Sequence, residues 1–278
     1  MATGIAGLLE FMIKYRKSVI HYNLQRCFPN WELSYRKKVI NKFYLHFVDI
    51  FLEVFKSNSW SSSKMLTHFT ILNDENMQEL LNDPRHQIIL FGHFHNWEWI
   101  TQACGAFFCK THQQNMIGFF KHMQDKTVEK FMNEYRTRLG GEMYSDRQPR
   151  TVLKLLFGKN KLILGTVADQ TPPGREDMFW VDFLNTPTPF FKGPGFLAAA
   201  SKSPVWYGHI TQVKRHHYEM KVIPVWEPTV NLNNSADENA SIITKQYASL
   251  LEQQIQQEPW AWLWSHRRWK YAPLENEG

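Results

Sequence analysis

The chain of 278 residues is long enough to bury a sizeable core and to form one large domain or two small ones. Its three cysteines, without a CxxC pair, argue against a disulfide framework and against a structural zinc site. No stretch approaches the roughly 20 apolar residues that span a bilayer. The formal net charge of +6 fits an anionic partner, such as nucleic acid, an anionic membrane surface or an acidic carrier protein. A charge of this size is explained nearly as well by the surface charge that keeps a protein soluble.

The first third of the chain has helical patterns. Apolar residues at helical spacing predict helices over residues 5–24 and 33–55, and a short helix over 74–81 with Asn73 as its N-cap. The first helix starts with the apolar stretch from Ile5 to Ile13, which basic residues follow. This stretch lacks the cleavage site of a secretory signal. It is either an interfacial helix with a basic flank or a helix that packs on the body of the protein.

From residue 83 onward, strand patterns alternate with helical ones. Strands are predicted over 87–92, 115–119 and 161–168, and helices over 97–109, 125–139 and 149–158. This alternation favours βαβ units and a mainly parallel sheet. The remainder is predicted to contain a short strand at 179–183, an irregular stretch at 186–189, a helix at 193–202, strands at 204–211 and 218–225, a helix at 241–256 and a buried strand at 260–264. We expect one α/β domain over 1–278, with a helical region at 1–82 and a catalytic core at 83–278.

The stretch from Phe91 to Glu98 is the strongest candidate for an active site. It lies where a buried strand ends and a helix begins, and open α/β sheets bind ligands at the carboxyl ends of their strands. A continuous helix would separate His93 and Glu98 by about 140°, whereas a strand-to-helix junction lets them meet. Glu98 would then orient His93 as a general base, with Asn96 as the helix N-cap. The alternative is that His93 is a core histidine with its hydrogen bonds formed, and that Glu98 only stabilises the helix by lying near its N-terminus.

His95 adds a second interpretation of the same stretch. His93 and His95 form an HxH pair, as some metal sites use, and a metallohydrolase could combine them with Asp169. The further acids and histidines that such a site needs are missing nearby. We therefore rank the metal site below the pair of His93 and Glu98, and expect His95 to form part of a pocket wall.

An ordered set of motifs resembles the bacterial lipid A late acyltransferases, within the glycerolipid acyltransferase superfamily. His93 to Glu98 fits the HxxxxE motif, in a "GHxGNWE" context where His95 replaces the usual glycine. The other matches extend along nearly the whole chain: Tyr15-Arg16-Lys17 with Asn23-Leu24 and Phe28-Pro29 for "YRR…NL…FP", Lys121 for "Y-R/K-P", Arg136-Thr137-Arg138 with Gly140 for "RxR…G", Asp169-Gln170 for "DQ", and Trp264 to Trp269 for "W-x-HRRW". Each match is weak alone, and the ordered set is strong.

The resemblance implies an O-acyltransferase of the glycerolipid acyltransferase fold. It would move a fatty acyl chain from acyl carrier protein, or from acyl-CoA, to a hydroxyl of a lipid A precursor or a related membrane glycolipid, without a metal or organic cofactor. It would work on an anionic membrane surface, peripheral or weakly anchored at the cytoplasmic face of a bacterial inner membrane. The resemblance assigns the oxyanion to Arg136, or alternatively to Arg138. Both could instead be solvated charges near a helix C-terminus.

Further motif residues are expected to contact substrates. Asp169 would position Arg136 or the acceptor, or would merely cap the following turn. The candidate substrate-binding residues are Asn96, Lys121, Arg138, Gln170, Arg267 and Arg268. Arg267 and Arg268 lie among tryptophans, so they could hold lipid phosphates while the indoles sit at a membrane interface. Packing of this tail on the sheet is the alternative.

Two other classes of function stay open at this point. A non-catalytic lipid-binding protein of the same fold would bind vesicles without consuming a thioester. Basic residues interleaved with aromatics also occur in single-strand nucleic-acid sites. No nucleic-acid module is visible in the sequence, so we expect no nucleic-acid partner.

Overall fold

The computed structural model describes residues 15–172, 178–229 and 233–271. Its helices are α1 Lys17–Cys27, α2 Leu33–Ser57, α3 Ser62–His68, α4 Glu75–Asn82, α5 Trp97–Cys104, α6 Lys126–Thr137, α7 Pro149–Leu156, α8 Gly193–Ser201 and α9 Ala236–Gln257, and a π-helical segment, Gly105–Thr111, continues α5. Its strands are β1 Phe69–Ile71, β2 Gln87–Phe91, β3 Asn115–Phe120, β4 Glu142–Ser145, β5 Leu162–Val167, β6 Met178–Phe183, β7 Thr186–Phe191, β8 Val205–Lys214 and β9 His217–Trp226. The apolar stretch from Ile5 to Ile13 lies outside the described residues.

Seven of these strands form one sheet, in the order β1-β9-β8-β2-β5-β3-β4. Strands β8, β2, β5, β3 and β4 are parallel to one another, β9 is antiparallel to β8, and β1 is parallel to β9. The strands β6 and β7 form a separate antiparallel pair. The predicted α/β class, with a mostly parallel sheet and N-terminal helices, is confirmed.

The central strands are continuous apolar runs because both of their faces are covered. On β2, Ile88 and Leu90 belong to a core cluster that α1, α2 and α9 share, whereas Ile89 and Phe91 belong to a second cluster with α3, α4 and α5. A strand buried on both faces has no polar side to alternate with its apolar one. This burial fixes the end of β2, and therefore the start of the candidate motif, in the middle of the molecule.

The stretch over 186–189, predicted to be irregular, is part of strand β7. Two prolines in the sequence argued against a strand here, because proline has no backbone N–H to donate to a neighbouring strand. Pro187 and Pro189 lie in a two-stranded hairpin, where the loss of this donor is tolerated. Leu184 and Asn185 connect the strands with φ values of 51° and 59°, as in a type I′ turn.

The predicted strand over 260–264 was wrong. Only an isolated bridge between Phe94 and Trp262 is formed there, and the segment turns so that Trp262 and Trp264 pack edge-on at 4.8 Å within the core. The short elements α3, β1 and β4 were not predicted. Helix α4 is capped by Asp74, which accepts from the Met77 N–H, rather than by Asn73. Within the described ranges, no helix combines the length and the apolar character that crossing a membrane requires.

Candidate active site

The strand register brings His93 and Asp169 together at the carboxyl edge of the sheet. Strands β2 and β5 are parallel neighbours, with Phe91 opposite Val167. The pairing continues one step further, since the Ala168 N–H donates to the Phe91 carbonyl at 3.0 Å. His93 and Asp169 each lie two residues beyond the paired strand ends, so that their side chains meet although 76 residues separate them in sequence.

Asp169 orients the imidazole of His93. His93 Nδ1 donates to Asp169 Oδ1 at 2.5 Å, and the His93 backbone N–H donates to Oδ2 at 2.7 Å. Trp262 Nε1 is the third donor to this carboxylate, and it bonds to Oδ2 at 2.7 Å. Burial raises the pKa of Asp169, but the charge of His93 and these hydrogen bonds outweigh it and lower the pKa to about 2. The carboxylate is therefore ionised at neutral pH and holds the tautomer in which Nε2 carries the lone pair.

Close backbone approach permits this contact. A Cβ atom on Gly92 would lie 2.6 Å from Leu251 Cδ1 and 3.4 Å from Asp169 Oδ2. Glycine at this position therefore lets the strand end pass between α9 and the carboxylate.

Gln170 covers the other nitrogen of the imidazole. Its Nε2 lies 3.1 Å from His93 Nε2, at the distance of an amide donating to the lone pair. The His93 side chain keeps 15% of its surface exposed, whereas Asp169 keeps 2%. The histidine therefore has one buried, anchored nitrogen and one nitrogen that faces a polar side chain near the surface.

The predicted contact between Glu98 and His93 is not found among the described hydrogen bonds. Glu98 instead pairs with Arg136, through Arg136 Nε to Oε2 at 2.9 Å and Arg136 Nη2 to Oε1 at 2.7 Å. Both side chains are largely buried, at 13% and 15% exposure. The two motif residues therefore have different partners. Asp169, which follows the neighbouring strand β5, orients His93, and Glu98 orients Arg136 of α6.

Asn96 is the N-cap of α5, as predicted, and both ends of its amide are occupied. Its Oδ1 accepts from the Trp99 N–H at 3.0 Å, and its Nδ2 donates to Glu53 Oε2 at 2.6 Å. Its surface is fully buried. Asn96 was predicted to bind substrate, but in this structure it joins the start of α5 to α2. Glu53 also accepts from Tyr218 and His216, and burial raises its pKa.

Arg138 and Lys121 have different surroundings. Arg138 donates to the carbonyls of Trp60 and Ser57 and to Gln102 Oε1, at 2.6 to 3.1 Å. Its guanidinium therefore fastens α6 to α2 and α5, and we do not assign it to the oxyanion. Lys121 is exposed and directly follows β3, at the same edge of the sheet as His93.

The backbone of the C-terminal segment contacts the residues that follow Asp169 and Gln170. Thr171 Oγ1 donates to the carbonyls of Arg267 and Arg268, and the Thr171 N–H donates to His266 Nε2 at 3.1 Å. The side chain of Arg267 is exposed. Arg268 is fully buried: it donates to the Pro189 carbonyl and stacks over a phenylalanine ring, and burial lowers its pKa to about 10.

The burial of three side chains bears on the two interpretations of this segment. Arg268 does not lie on the surface, where a lipid phosphate could reach it. Trp264 and Trp269, predicted at a membrane interface, have 0% and 3% exposure. Packing of the tail on the body of the protein, the alternative interpretation, is what the structure shows.

His95 does not join His93 in a metal-binding group. It is fully buried, with a φ of 51°, and its Nε2 bonds to Glu258 Oε2 at 2.8 Å. Burial lowers the pKa of His95. Within the described part of the chain, no three histidine, cysteine or acidic side chains are placed to hold a metal ion. The constellation that a metallohydrolase needs is not assembled from these residues.

An apolar cavity that is partly open to solvent lies between α5 and the sheet, where about 480 Å³, open solvent included, is not filled by protein atoms. Phe91 and Met116 line its sheet side, and Trp97 and Arg136 line it from the helices. Trp97 also packs edge-on to His93, with ring centroids 5.6 Å apart. Trp97 therefore stands between the cavity and the imidazole, whereas the arginine that Glu98 holds lines the cavity directly. An alkyl chain is the kind of group that such walls accommodate.

A model of the bacterial lipid A biosynthesis acyltransferase family matches residues 1–271. The chain belongs to this family. It is also similar to a lipid A biosynthesis acyltransferase of Haemophilus influenzae, with 21% identity over 264 residues that cover 93% of this chain and 78% of the relative. The resemblance drawn from the motifs is confirmed, and the protein is an acyltransferase of bacterial lipid A biosynthesis.

Two residues around the site of this acyltransferase were not predicted from the sequence. Trp262, which donates to Asp169, has no local signal, because an indole in an apolar segment has the pattern of a core residue. Glu53 does have one: it is an acid on the buried face of α2, beside Ile50 and Val54. A carboxylate in an apolar stripe needs buried donors, and such a residue could have been flagged.

Proposed function

We propose that this acyltransferase moves a fatty acyl chain from an acyl carrier protein thioester, or from acyl-CoA, to a hydroxyl of a lipid A precursor or related glycolipid. His93 acts as the general base and Asp169 as the carboxylate that orients it. The observation that carries the proposal is the 2.5 Å hydrogen bond from His93 Nδ1 to Asp169, with Trp97 between the imidazole and an apolar cavity. A histidine with one anchored nitrogen is arranged to take a proton at the other.

The acceptor hydroxyl takes the position that the Gln170 amide holds beside His93 Nε2. His93 removes the hydroxyl proton as the oxygen attacks the thioester carbonyl carbon. The tetrahedral intermediate collapses with cleavage of the carbon–sulfur bond, and the imidazolium returns its proton to the leaving sulfur as a thiol. Asp169, ionised throughout, stabilises the imidazolium between the two proton transfers.

Arg136 supplies the positive charge for the oxyanion. Its Nε and Nη2 are held by Glu98, while Nη1 has no hydrogen-bond partner among the described residues. A guanidinium fixed on one side by a carboxylate keeps its remaining donor in a defined direction, and such preorganised donors stabilise charge that develops in the transition state. Glu98 is therefore a positioning residue for Arg136.

The acyl chain occupies the cavity below Trp97, and the acceptor approaches from the carboxyl edge of the sheet. The exposed side chains of Lys121 and Arg267 lie at that edge and are suited to phosphate groups of the acceptor. We place the protein as a single domain at the cytoplasmic face of the bacterial inner membrane. Its net charge of +6 would favour both an anionic membrane surface and an acidic carrier protein.

Transfer by purified protein from acyl carrier protein thioester to a lipid A precursor tests this proposal. His93→Ala is expected to abolish transfer, while the fold is retained. His86→Asn is the matched control, because His86 is partly exposed at the opposite end of β2. Full transfer by His93→Ala would exclude this residue as the base. Binding of the lipid without thioester consumption by the unaltered protein would instead support a lipid-binding protein.

A further inference from the structure

A second and more open space lies behind the apolar cavity, towards the amino-terminal edge of β3, β4 and β5. It contains about 1350 Å³ of empty space, and its walls include Lys154, Asn160 and Gln113. The two spaces share four residues, Met116, Ile117, Gly141 and Glu142. These residues therefore separate the apolar cavity, called the inner cavity below, from this second space, called the outer groove.

The floor of the inner cavity is lined by a pair of glycines. Gly118 on β3 lies directly opposite Gly165 on β5, and both line the cavity. A Cβ on Gly165 would lie 3.0 Å from Met116 Cε, and a Cβ on Gly118 would lie 3.0 Å from Met143 Sδ. Side chains on this pair would collide with the ends of the two methionine side chains, which already lie over the glycines. The glycines thus leave a slot between the sheet and α5, and the ends of Met116 and Met143 occupy its floor.

Met116 closes the far end of this slot. It lies two residues before Gly118, so it points to the same face of the sheet, and its side chain has 7% exposure in the second core cluster. The unbranched, flexible methionine side chain can fill an irregular gap of this kind, and such positions tolerate substitution. Removing the side chain would join the slot to the outer groove.

We propose that Met116 sets the upper limit on the length of the acyl chain that this enzyme transfers. The inference rests on the proposed function, since it assigns the inner cavity to the acyl chain. A chain that reaches Met116 buries its last methylene against the thioether, and a longer chain has no room. Each methylene gained or lost in an apolar site changes binding about fourfold.

The test compares donors of graded chain length in Met116→Ala, Gly165→Ala and the unaltered enzyme. Met116→Ala is expected to accept longer chains, with kcat/KM for a donor two methylenes above the limit rising about 15-fold. Gly165→Ala places a methyl group in the slot and is expected to shorten the accepted chain. Met143→Ala is the matched control, because Met143 lines the inner cavity alone and its removal opens no path to the outer groove. Circular dichroism checks that each variant is folded.

Binding of free fatty acids of the same lengths, followed by tryptophan fluorescence, separates this inference from the proposed function. A length limit that moves in Met116→Ala supports the inference even if no acyl group is transferred, in which case the transfer reaction is what fails. Active transfer with the same donor profile in Met116→Ala and the unaltered enzyme refutes the inference and leaves the reaction intact. A limit that moves equally in Met143→Ala also refutes it.

Discussion

Replacing Asp169 by asparagine keeps the size of the side chain and removes one acceptor oxygen. The amide oxygen is expected to stay with the two donors that share Oδ2, namely the His93 backbone N–H and Trp262 Nε1. The amide nitrogen then faces His93 Nδ1, which must change from donor to acceptor. The ring proton moves to Nε2, and the nitrogen that faces the acceptor hydroxyl can no longer take a proton.

The loss of rate follows from this change of tautomer. The same substitution in a Ser-His-Asp triad lowers kcat by about 10⁴, which is about 5 kcal/mol of transition-state stabilisation. We expect a loss of that order for Asp169→Asn, with little change in KM. Glu98→Gln is the matched control, because it alters the partner of Arg136 and leaves the tautomer of His93 unchanged. It is expected to lose less activity and to keep the pH profile of the base.

Stability gives a second readout of the same substitution. The pKa of Asp169 is about 2 in the folded protein, against an ordinary value of 3.8, so its ionised form contributes about 2 kcal/mol at neutral pH. This contribution is complete above about pH 4 and is lost as the pH falls towards 2. Urea unfolding should therefore separate Asp169→Asn from the unaltered protein at pH 7 and much less at pH 2.

Two outcomes would refute this reasoning. The first is an Asp169→Asn enzyme within about tenfold of the unaltered rate, which is far smaller than the loss from tautomer reversal. The second is a Glu98→Gln enzyme that loses the ionisation of the base from its pH profile. Either result would return the orienting role to Glu98.

Three further predictions concern the surroundings of the site. Trp262→Phe removes one of three donors to the site carboxylate, worth about 1.5–3 kcal/mol, and is expected to lower kcat about tenfold; an unchanged kcat contradicts this. Arg136→Ala leaves Glu98 unpaired and largely buried, and is expected to lower the free energy of unfolding by about 3 kcal/mol; urea unfolding measures this, and an unchanged midpoint argues against it. Arg267→Ala should raise KM for a phosphorylated acceptor, whereas Arg268→Met should leave KM unchanged without lowering Tm. A raised KM in Arg268→Met would place that guanidinium at the acceptor site after all.

The sequence predicts where the strands of the site lie in the chain, but it does not predict which strands are neighbours in the sheet. Strands over 87–92 and 161–168 follow from continuous apolar runs, and both are present as β2 and β5. Their adjacency in the sheet does not follow from those runs. Without it, the approach of Asp169 to His93 cannot be derived, and the nearer carboxylate of Glu98 was the natural choice.

Two other errors have a common cause. A hydrophobic pattern reports burial, and it does not report the backbone that achieves the burial. The alternation around Trp262 and Trp264 predicted a strand, but a turn buries the same indoles. Pro187 and Pro189 argued against a strand, but a two-stranded hairpin needs fewer ladder donors than a central sheet. In each case tertiary packing decided the backbone.

The hydrogen bond from Ala168 N–H to the Phe91 carbonyl extends the β2–β5 ladder almost to His93 and Asp169, the proposed catalytic pair. We therefore expect His93 and Asp169 to separate only when the central strands β2 and β5 open, at a cost near the whole free energy of unfolding. Arg136, in contrast, lies on a peripheral helix that can open at lower cost. Local fluctuations would thus separate Arg136, the proposed oxyanion cation, before the proposed base and its carboxylate. If these roles hold, partial loosening would reduce turnover while the pair of His93 and Asp169 is still assembled.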